Sequence, residues 1–382
     1  LINFIDNYAT DPANKPETPI LEDKRQDSLG RAAYYVGIVL HRSASAKYKK
    51  SDGSDTSGYN PFIERIKDYS TSFPKQTKRS AAMQGLLVDS YAKLGDAENA
   101  AAILDEMIAA HPDSSRTGTA ALNLYSTYEA QRKALVAAGS TDEEALDGLT
   151  RKMAESLALY NGIAPKAGYV YLSNEADLWL QLQEWAKAKP VLERVVNLFQ
   201  EDEKYGQRVI KFGIPDLAEA MLELGEVNEV KALLTPYVFG DEPVLKAQRP
   251  VMLTASAMIG SVVGSGTNVK QTPGAGGTDE EFDYITKRLD NLAKRNDKWS
   301  CEWYEGKFVS AYAYYSWGQR DDRKKAFAKA ILDNIVTFAE GDTQFTEVDK
   351  TCEKPEVEER MRKRLGKGVL ASRFRWLYSR TR

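Results

Sequence analysis

The sequence is poor in the residues that most often bind metals or act as catalytic bases. Its 382 residues include two histidines, His41 and His111, and two cysteines, Cys301 and Cys352. No CxxC, HExxH or Cys/His cluster occurs, so we expect no metal site. A nucleophilic triad needs a histidine or another positioned base. His41 falls at the end of a predicted helix and His111 precedes Pro112, so we expect no cofactor and no enzymatic activity.

Long apolar runs and a strong excess of one charge are also absent. No stretch approaches the roughly 20 apolar residues of a membrane-spanning helix, and the apolar part of the opening LINFIDNYATDP is too short for a signal peptide. The net charge is −3, which gives no basic field for nucleic acid. We therefore expect neither membrane nor nucleic acid as a partner. Because the sequence starts at Leu1 rather than methionine, we expect a processed product or a fragment.

The scarcity of cysteine leaves the redox compartment open. Cys301 and Cys352 fit two free thiols in a reducing compartment. They fit one disulfide in a cell-envelope protein equally well, because spacing along the chain does not decide pairing.

A glycine-rich stretch, residues 264–278, fails the tests for a nucleotide-binding loop. A P-loop needs GxxxxGK[ST] after a buried strand, but this stretch follows an apolar helix and Lys270 lies four residues past Gly266. In the dinucleotide fingerprint the third glycine would fall on Val269. We expect no nucleotide and interpret the stretch as a long solvated turn, with a disordered excursion or a joint between two bodies as alternatives.

Residues 79–112, RSAAMQGLLVDSYAKLGDAENAAAILDEMIAAHP, carry the clearest pattern in the chain. Apolar residues recur at helical spacing in two runs. Between them, Gly95 can take the left-handed conformation that ends a helix, and Asp96 can cap the next one. Neither helix can bury its apolar stripe alone, so the pair needs neighbours.

This pair resembles a tetratricopeptide repeat. The resemblance rests on Tyr91, Gly95, Ala100, Leu104 and Pro112, and Tyr125 follows Tyr91 at the 34-residue period of that family. It implies an all-α fold, an α-solenoid of about six antiparallel helical pairs in a right-handed superhelix. It also implies a non-catalytic scaffold or adaptor that binds another protein or peptide, with a homo-oligomer or larger assembly as an option.

The predicted organisation follows the same repeats. Aromatic residues make up 10% of the chain, and we assign them mainly to interfaces between helical pairs. The stretches SFPKQT and AHPDSS between pairs are loosely similar to repeats of bacterial cell-envelope proteins, which implies a periplasmic or envelope location. The segments are an N-terminal lead-in (1–25), tetratricopeptide-like repeats (26–263), the Gly-rich loop (264–278), further helical pairs (279–341) and a helical cap with a basic end (342–382).

The resemblance also points to a binding groove. In the family, the position two residues before the large residue of each first helix faces the concave side. That position holds Asp89, Asn123, Asp177 and Glu219 here, and Arg116 is a further candidate. Such a groove prefers a basic or hydrogen-bonding peptide. The alternative is that these are solvated polar positions.

The basic end is a second candidate surface. Residues 360–382 hold nine Lys and Arg and no Asp or Glu, and removing those nine charges from the total of −3 leaves −12 for the rest. This patch could bind an acidic polymer or anionic lipid, or it could be a solvated cap that contacts the acidic body. Seven of the nine cations form the candidate basic patch: Arg360, Arg362, Lys363, Arg364, Lys367, Arg373 and Arg375.

A sugar-active helical enzyme is the remaining alternative. Paired carboxylates can hydrolyse glycosides, and Glu302 and Glu305 lie beside Trp299, Trp303 and Tyr304. Acidic residues three apart beside aromatic residues are also ordinary at a repeat interface, and the repeat spacing favours a scaffold.

Overall fold

The computed structural model describes residues 18–164, 168–241, 243–263, 268–294, 297–336 and 345–381. The chain divides into two compact units, residues 1–178 and 179–382. The predicted all-α, helical-repeat fold is confirmed in the described residues of both. Most of the predicted lead-in, residues 1–17, and parts of the predicted loop and cap, residues 264–267 and 342–344, lie outside the described residues.

Unit 1 is built from successive helices joined by short turns. The unit boundary falls within its last helix. The helices are α1 (Pro19–Lys50), α2 (Tyr59–Ile66), α3 (Tyr69–Ser72), α4 (Thr77–Lys93), α5 (Ala97–Ala110), α6 (Ser115–Ala137), α7 (Glu143–Ile163) and α8 (Tyr169–Gln181).

The pair α4 and α5 forms where the sequence predicts it. Gly95 has φ of +76° and ends α4, and the Asp96 side chain accepts a hydrogen bond from the Asn99 backbone N–H at 3.1 Å. Side chains of Ser114 and Asp142 cap α6 and α7 in the same way. Each first turn therefore has a local acceptor for N–H groups that have no partner within the helix.

Helix α1 is longer than the predicted helix at residues 26–48. It begins at Pro19 because the Thr18 hydroxyl caps the first turn, accepting from the Leu21 backbone N–H at 3.4 Å. Pro19 occupies the first helical position, where its missing N–H costs nothing. Pro19, which lies in the predicted lead-in, thus starts a helix.

The core of unit 1 lies between α1, α2 and α4. Phe62, Ile66 and Met83 have no exposed surface, and Leu87 is buried beside them. Tyr69 donates from its hydroxyl to the Gly30 carbonyl at 2.8 Å, which satisfies a buried polar group. Burial of apolar surface at about 25 cal/mol per Å² holds these helices together.

Unit 2 continues with helical pairs and adds a small strand pairing. A π-helical turn, Val209–Gly213, joins a three-residue helix to a ten-residue helix. The elements are α9 (Trp185–Phe199), α10 (Gly206–Arg208), α11 (Ile214–Glu223), α12 (Val227–Val238), α13 (Gln248–Ile259), β1 (Val262–Val263), β2 (Lys270–Gln271), α14 (Asp279–Ala293), α15 (Cys301–Trp317), α16 (Asp322–Asp333), α17 (Thr346–Cys352), α18 (Glu359–Leu365) and α19 (Val369–Thr381).

The described part of the Gly-rich loop is joined to the end of α13 by backbone hydrogen bonds. Strands β1 and β2 pair antiparallel, and the backbone N–H of Gly276 donates to the Met258 carbonyl at 2.9 Å. A Cβ on Gly260 would lie 1.9 Å from the Thr272 carbonyl oxygen. Residues 268–278 therefore return along the end of α13, and all of them remain exposed or partly exposed.

Unit 2 also contains a disulfide bond. Cys301 at the start of α15 and Cys352 at the end of α17 form a disulfide, which settles the pairing that the sequence leaves open.

None of the described helices is both long and apolar enough to span a membrane.

Candidate functional site

Two predicted groove residues of unit 1, Asp89 and Asn123, form a polar row with His41, and we call these three residues the polar ladder. Asp89 on α4 and Asn123 on α6 stand 34 residues apart, and the Asn123 amide donates to Asp89 Oδ1 at 3.3 Å. On its other side Asp89 Oδ2 lies 2.9 Å from His41 Nε2 on α1. Three successive first helices thus contribute one residue each to a continuous polar row.

The polar ladder is partly shielded and firmly placed. The side chains of His41 and Asp89 are 12% and 22% exposed. The His41 ring packs edge-on against Phe62, with ring centres 5.2 Å apart. Because both carboxylate oxygens of Asp89 have a partner, the carboxylate is held in one orientation. The Asn123 amide has an oxygen and a second N–H besides the one that it gives to Asp89.

His41 was not found by sequence reasoning. Because α1 continues to Lys50, His41 lies in the helix interior and not at its end, as the sequence suggested. The buried residues Ala33, Gly37 and Ala44 lie on the same helical face, at helical spacings from His41. That stripe was the signal that could have placed His41 against its neighbours.

The other predicted groove residues of unit 1 lie on the surface. Arg116 is exposed in the first turn of α6, and Asp177 is exposed on α8. The structure therefore joins Asp89 and Asn123 directly and leaves the roles of Arg116 and Asp177 as predictions.

Glu219, the fourth predicted groove residue, is in an interior ion cluster of unit 2. It is 4% exposed. Arg249 on α13 and Arg360 on α18 both bind Asp216 and Glu219, the Arg360–Glu219 distance being 2.6 Å. We call the following residues the arginine cluster: Asp216, Glu219, Arg249, Glu305, Arg360 and Arg364.

The electrostatics of the arginine cluster follow from this geometry. Burial alone would raise the pKa of Glu219, but the charges of Arg364, Arg249 and Arg360 outweigh it and hold the pKa at about 2. Burial alone would lower the pKa of Arg364, but Glu305 and Glu219 raise it above its ordinary value. Both groups are therefore charged across the physiological range.

The structure divides the predicted basic patch. Arg360 and Arg364 point into the arginine cluster, and Lys363 pairs with Glu359 at 3.3 Å. Lys367 and Arg375 are exposed, and Arg362 and Arg373 are partly buried. Two cations of the basic patch thus form ion pairs with carboxylates inside unit 2.

The two glutamates considered for glycoside hydrolysis have different surroundings. Glu302 is exposed, whereas Glu305 is 6% exposed and binds Arg364. Within the described ranges, no group of three or more His, Cys, Asp or Glu could hold a metal ion.

Comparison with known proteins identifies the repeat. The tetratricopeptide repeat family model matches residues 86–114, so the chain contains a tetratricopeptide repeat there. No curated protein matches the chain. Among solved structures, TTC0263, a thermophilic TPR protein of Thermus thermophilus, is similar at 16% identity over 52% of this chain and 88% of its own, with a TM-score of 0.27. A likeness that distant carries no argument about this chain.

Proposed function

We propose that the chain is a non-catalytic interaction scaffold whose unit 1 binds an extended segment of a partner protein along α1, α4 and α6. Tetratricopeptide repeats generally bind proteins or peptides, which supports the class of function. The observation that carries the proposal is the polar ladder, because it lines up one polar side chain from each of three successive first helices.

The chemistry of the polar ladder favours a basic or hydrogen-bonding segment. Asp89 supplies a fixed negative charge, and Asn123 can pair with the donor and acceptor of a peptide backbone. A carboxylate that is already oriented loses little conformational freedom when it binds a lysine or arginine of the partner.

The disulfide supports a compartment for this scaffold. Cys301 and Cys352 are both buried, at 1% and 0% exposure, and bonded to each other. Disulfides persist in the periplasm and other oxidising compartments and are rare in the cytosol. We therefore propose a periplasmic or cell-envelope location.

The test is binding of peptides of opposite charge to the full chain. Arginine- and lysine-containing peptides should bind, as measured by fluorescence anisotropy, and matched glutamate-containing peptides should bind at least about tenfold more weakly. Asp89→Asn, which keeps the shape of the side chain, should weaken binding of the basic peptides by about tenfold or more.

The matched control is Asp105→Asn, which removes the same charge from an exposed position on α5. It should leave binding unchanged. Equal weakening by Asp105→Asn, or equal binding of acidic and basic peptides, would overturn the proposal. Circular dichroism should show that each variant is folded.

A further inference from the structure

Unit 2 contains a small cavity that the scaffold function does not use. It lies among α11, α13, α15 and α19 and has a volume of about 70 Å³. Its apolar lining residues, which we call the apolar wall, include Met252, Leu253, Phe308 and Leu370. Its charged lining residues, which we call the charged wall, are Glu219, Glu223, Arg249, Glu305, Arg364 and Arg373. Glu223 is exposed, so the cavity reaches the surface there.

Two polar atoms of the charged wall have no partner in the part of the chain that the structure describes. Glu305 is buried, and Arg364 binds its Oε1, but its Oε2 is shielded from solvent without a hydrogen bond. The Nε–H of Arg373 is likewise shielded and makes no hydrogen bond. Buried polar groups are almost always paired, so two such atoms lining one cavity indicate an occupant.

The charge of Arg373 also lacks a direct counter-ion. The ion pairs of the arginine cluster engage Arg249, Arg360 and Arg364, and none within the described ranges engages Arg373. Burial, and then repulsion from Arg364, lower the pKa of Arg373. An acceptor bearing negative charge would stabilise this guanidinium.

The two unpartnered atoms define opposite ends of a ligand. Arg373 Nε needs an acceptor, and Glu305 Oε2 needs a donor. The charged wall holds three glutamates and three arginines, so a ligand of zero net charge leaves its balance unchanged. One water needs about 10–15 Å³ of such a cavity, so an interior of about 70 Å³ admits roughly five to seven heavy atoms.

We propose that this cavity binds a free α-amino acid of the size of glycine or alanine. Its carboxylate accepts from Arg373 Nε, and its ammonium group donates to Glu305 Oε2. The apolar wall at Met252 and Phe308 faces the small side chain. The small interior volume favours small side chains over large ones.

Isothermal titration calorimetry on the full chain tests the ligand class. Alanine and lactate have the same shape, but lactate carries a hydroxyl in place of the ammonium group and has a net negative charge. Isopropylamine replaces the carboxylate with a methyl group. We expect alanine to bind at about 10 mM or below, and both analogues to bind at least about tenfold more weakly. No heat with alanine or glycine, or equal binding of lactate, would overturn the proposal.

Variants then assign the two contacts. Arg373→Gln and Glu305→Gln should each weaken alanine binding by about tenfold or more. The controls are Arg375→Gln and Glu302→Gln, which change exposed residues on α19 and α15 and should leave it unchanged. Equal loss in the controls would contradict the assignment. If Glu305→Gln does not fold, the comparison of alanine with lactate on the unaltered chain tests the ammonium contact independently.

Discussion

Burial of the Glu219 carboxylate is costly, yet its removal would destabilise unit 2. A carboxylate with 4% exposure loses nearly all of its hydration. Three arginines from α13 and α18 replace that hydration with ion pairs. Removal of the carboxylate would leave those cations facing one another. The contribution of Glu219 to stability is therefore measured best by replacing it, which leaves the three arginines without its negative charge, and by comparing the free energies of unfolding.

Glu219→Gln should destabilise unit 2 by about 3 kcal/mol at neutral pH. The folded state lowers the pKa of Glu219 from 4.5 to about 2, and a lowering of that size corresponds to about 3 kcal/mol. Urea unfolding followed by tryptophan fluorescence measures the change. Glu229→Gln, which alters an exposed residue on α12, should change stability by less than about 0.5 kcal/mol.

The same substitution should flatten the response to acid. Because the folded-state pKa lies below the unfolded one, the unfolded chain binds the proton first as pH falls. The contribution of Glu219 is fully present above about pH 5 and is lost as pH falls toward 2. The difference between the original chain and Glu219→Gln should therefore shrink between those limits. A difference that stays constant from pH 7 to about pH 2 would contradict the assigned cause.

The sequence predicts the contacts of some of these residues and not those of others. The 34-residue spacing of Asp89 and Asn123 predicts that they are neighbours, and they are in contact. The same repeat logic assigned Glu219 to a groove, although it lies in an ion cluster with Arg360, 141 residues away. Repeat periodicity specifies neighbours one period apart, but it carries no information about a helix that returns from far along the chain.

At the scale of elements, the turn between α4 and α5 depends on one backbone conformation. Gly95 has φ of +76°, and a Cβ placed there would meet nothing within 4 Å. The cost of any other residue is therefore conformational and not steric. Gly85, within α4, is the opposite case, because its Cβ would make only an ordinary contact with Met107 Cε at 3.8 Å.

Alanine at these two glycines should change stability in opposite directions. Gly95→Ala should cost about 1 kcal/mol, because a left-handed residue with a Cβ is strained. Gly85→Ala should add about 0.5–1 kcal/mol, because alanine loses less entropy than glycine on entering a helix. Thermal unfolding by circular dichroism gives both values, and each variant serves as the control for the other. Shifts of the same sign would contradict the assigned conformations.

Elements were predictable from sequence where local signals agree. The caps, turn glycine and apolar stripes of 79–112 all point to one helical pair, and α4 and α5 form there. Helix α17 was not identified from the sequence, and the path of the Gly-rich loop was not predicted. Both are fixed by contacts outside themselves, the disulfide to α15 and the hydrogen bonds to the end of α13.

At the scale of the molecule, the disulfide belongs to unit 2 alone. Cys301 and Cys352 are 51 residues apart and both lie after Trp179, where unit 2 begins. The cross-link restricts the unfolded state of that unit and leaves residues 1–178 unconstrained. The sequence could not decide whether the bond forms, because pairing depends on the folded position of α17.

Reduction of the disulfide should therefore lower the stability of one unit. Closing a loop of 51 residues is worth about 4 kcal/mol in the chain-entropy account. Differential scanning calorimetry with a reducing agent should move the transition of unit 2 to lower temperature and leave that of unit 1 in place. Cys301→Ser with Cys352→Ser should reproduce the shift without reductant. Equal shifts of both transitions would contradict the assignment.

The span of the arginine cluster has a consequence for synthesis on the ribosome. The polar ladder joins residues 34 and 48 positions apart, so it can form soon after each helix emerges. Glu219 cannot form its ion pairs with Arg360 and Arg364 until those residues have been translated, more than a hundred residues later. At roughly 5–20 residues per second, that interval lasts several seconds or longer. During it, α11 carries an acidic residue whose burial is not yet compensated. Unit 2 therefore cannot complete its arginine cluster until residues 360–364 emerge, long after unit 1 can complete its polar ladder.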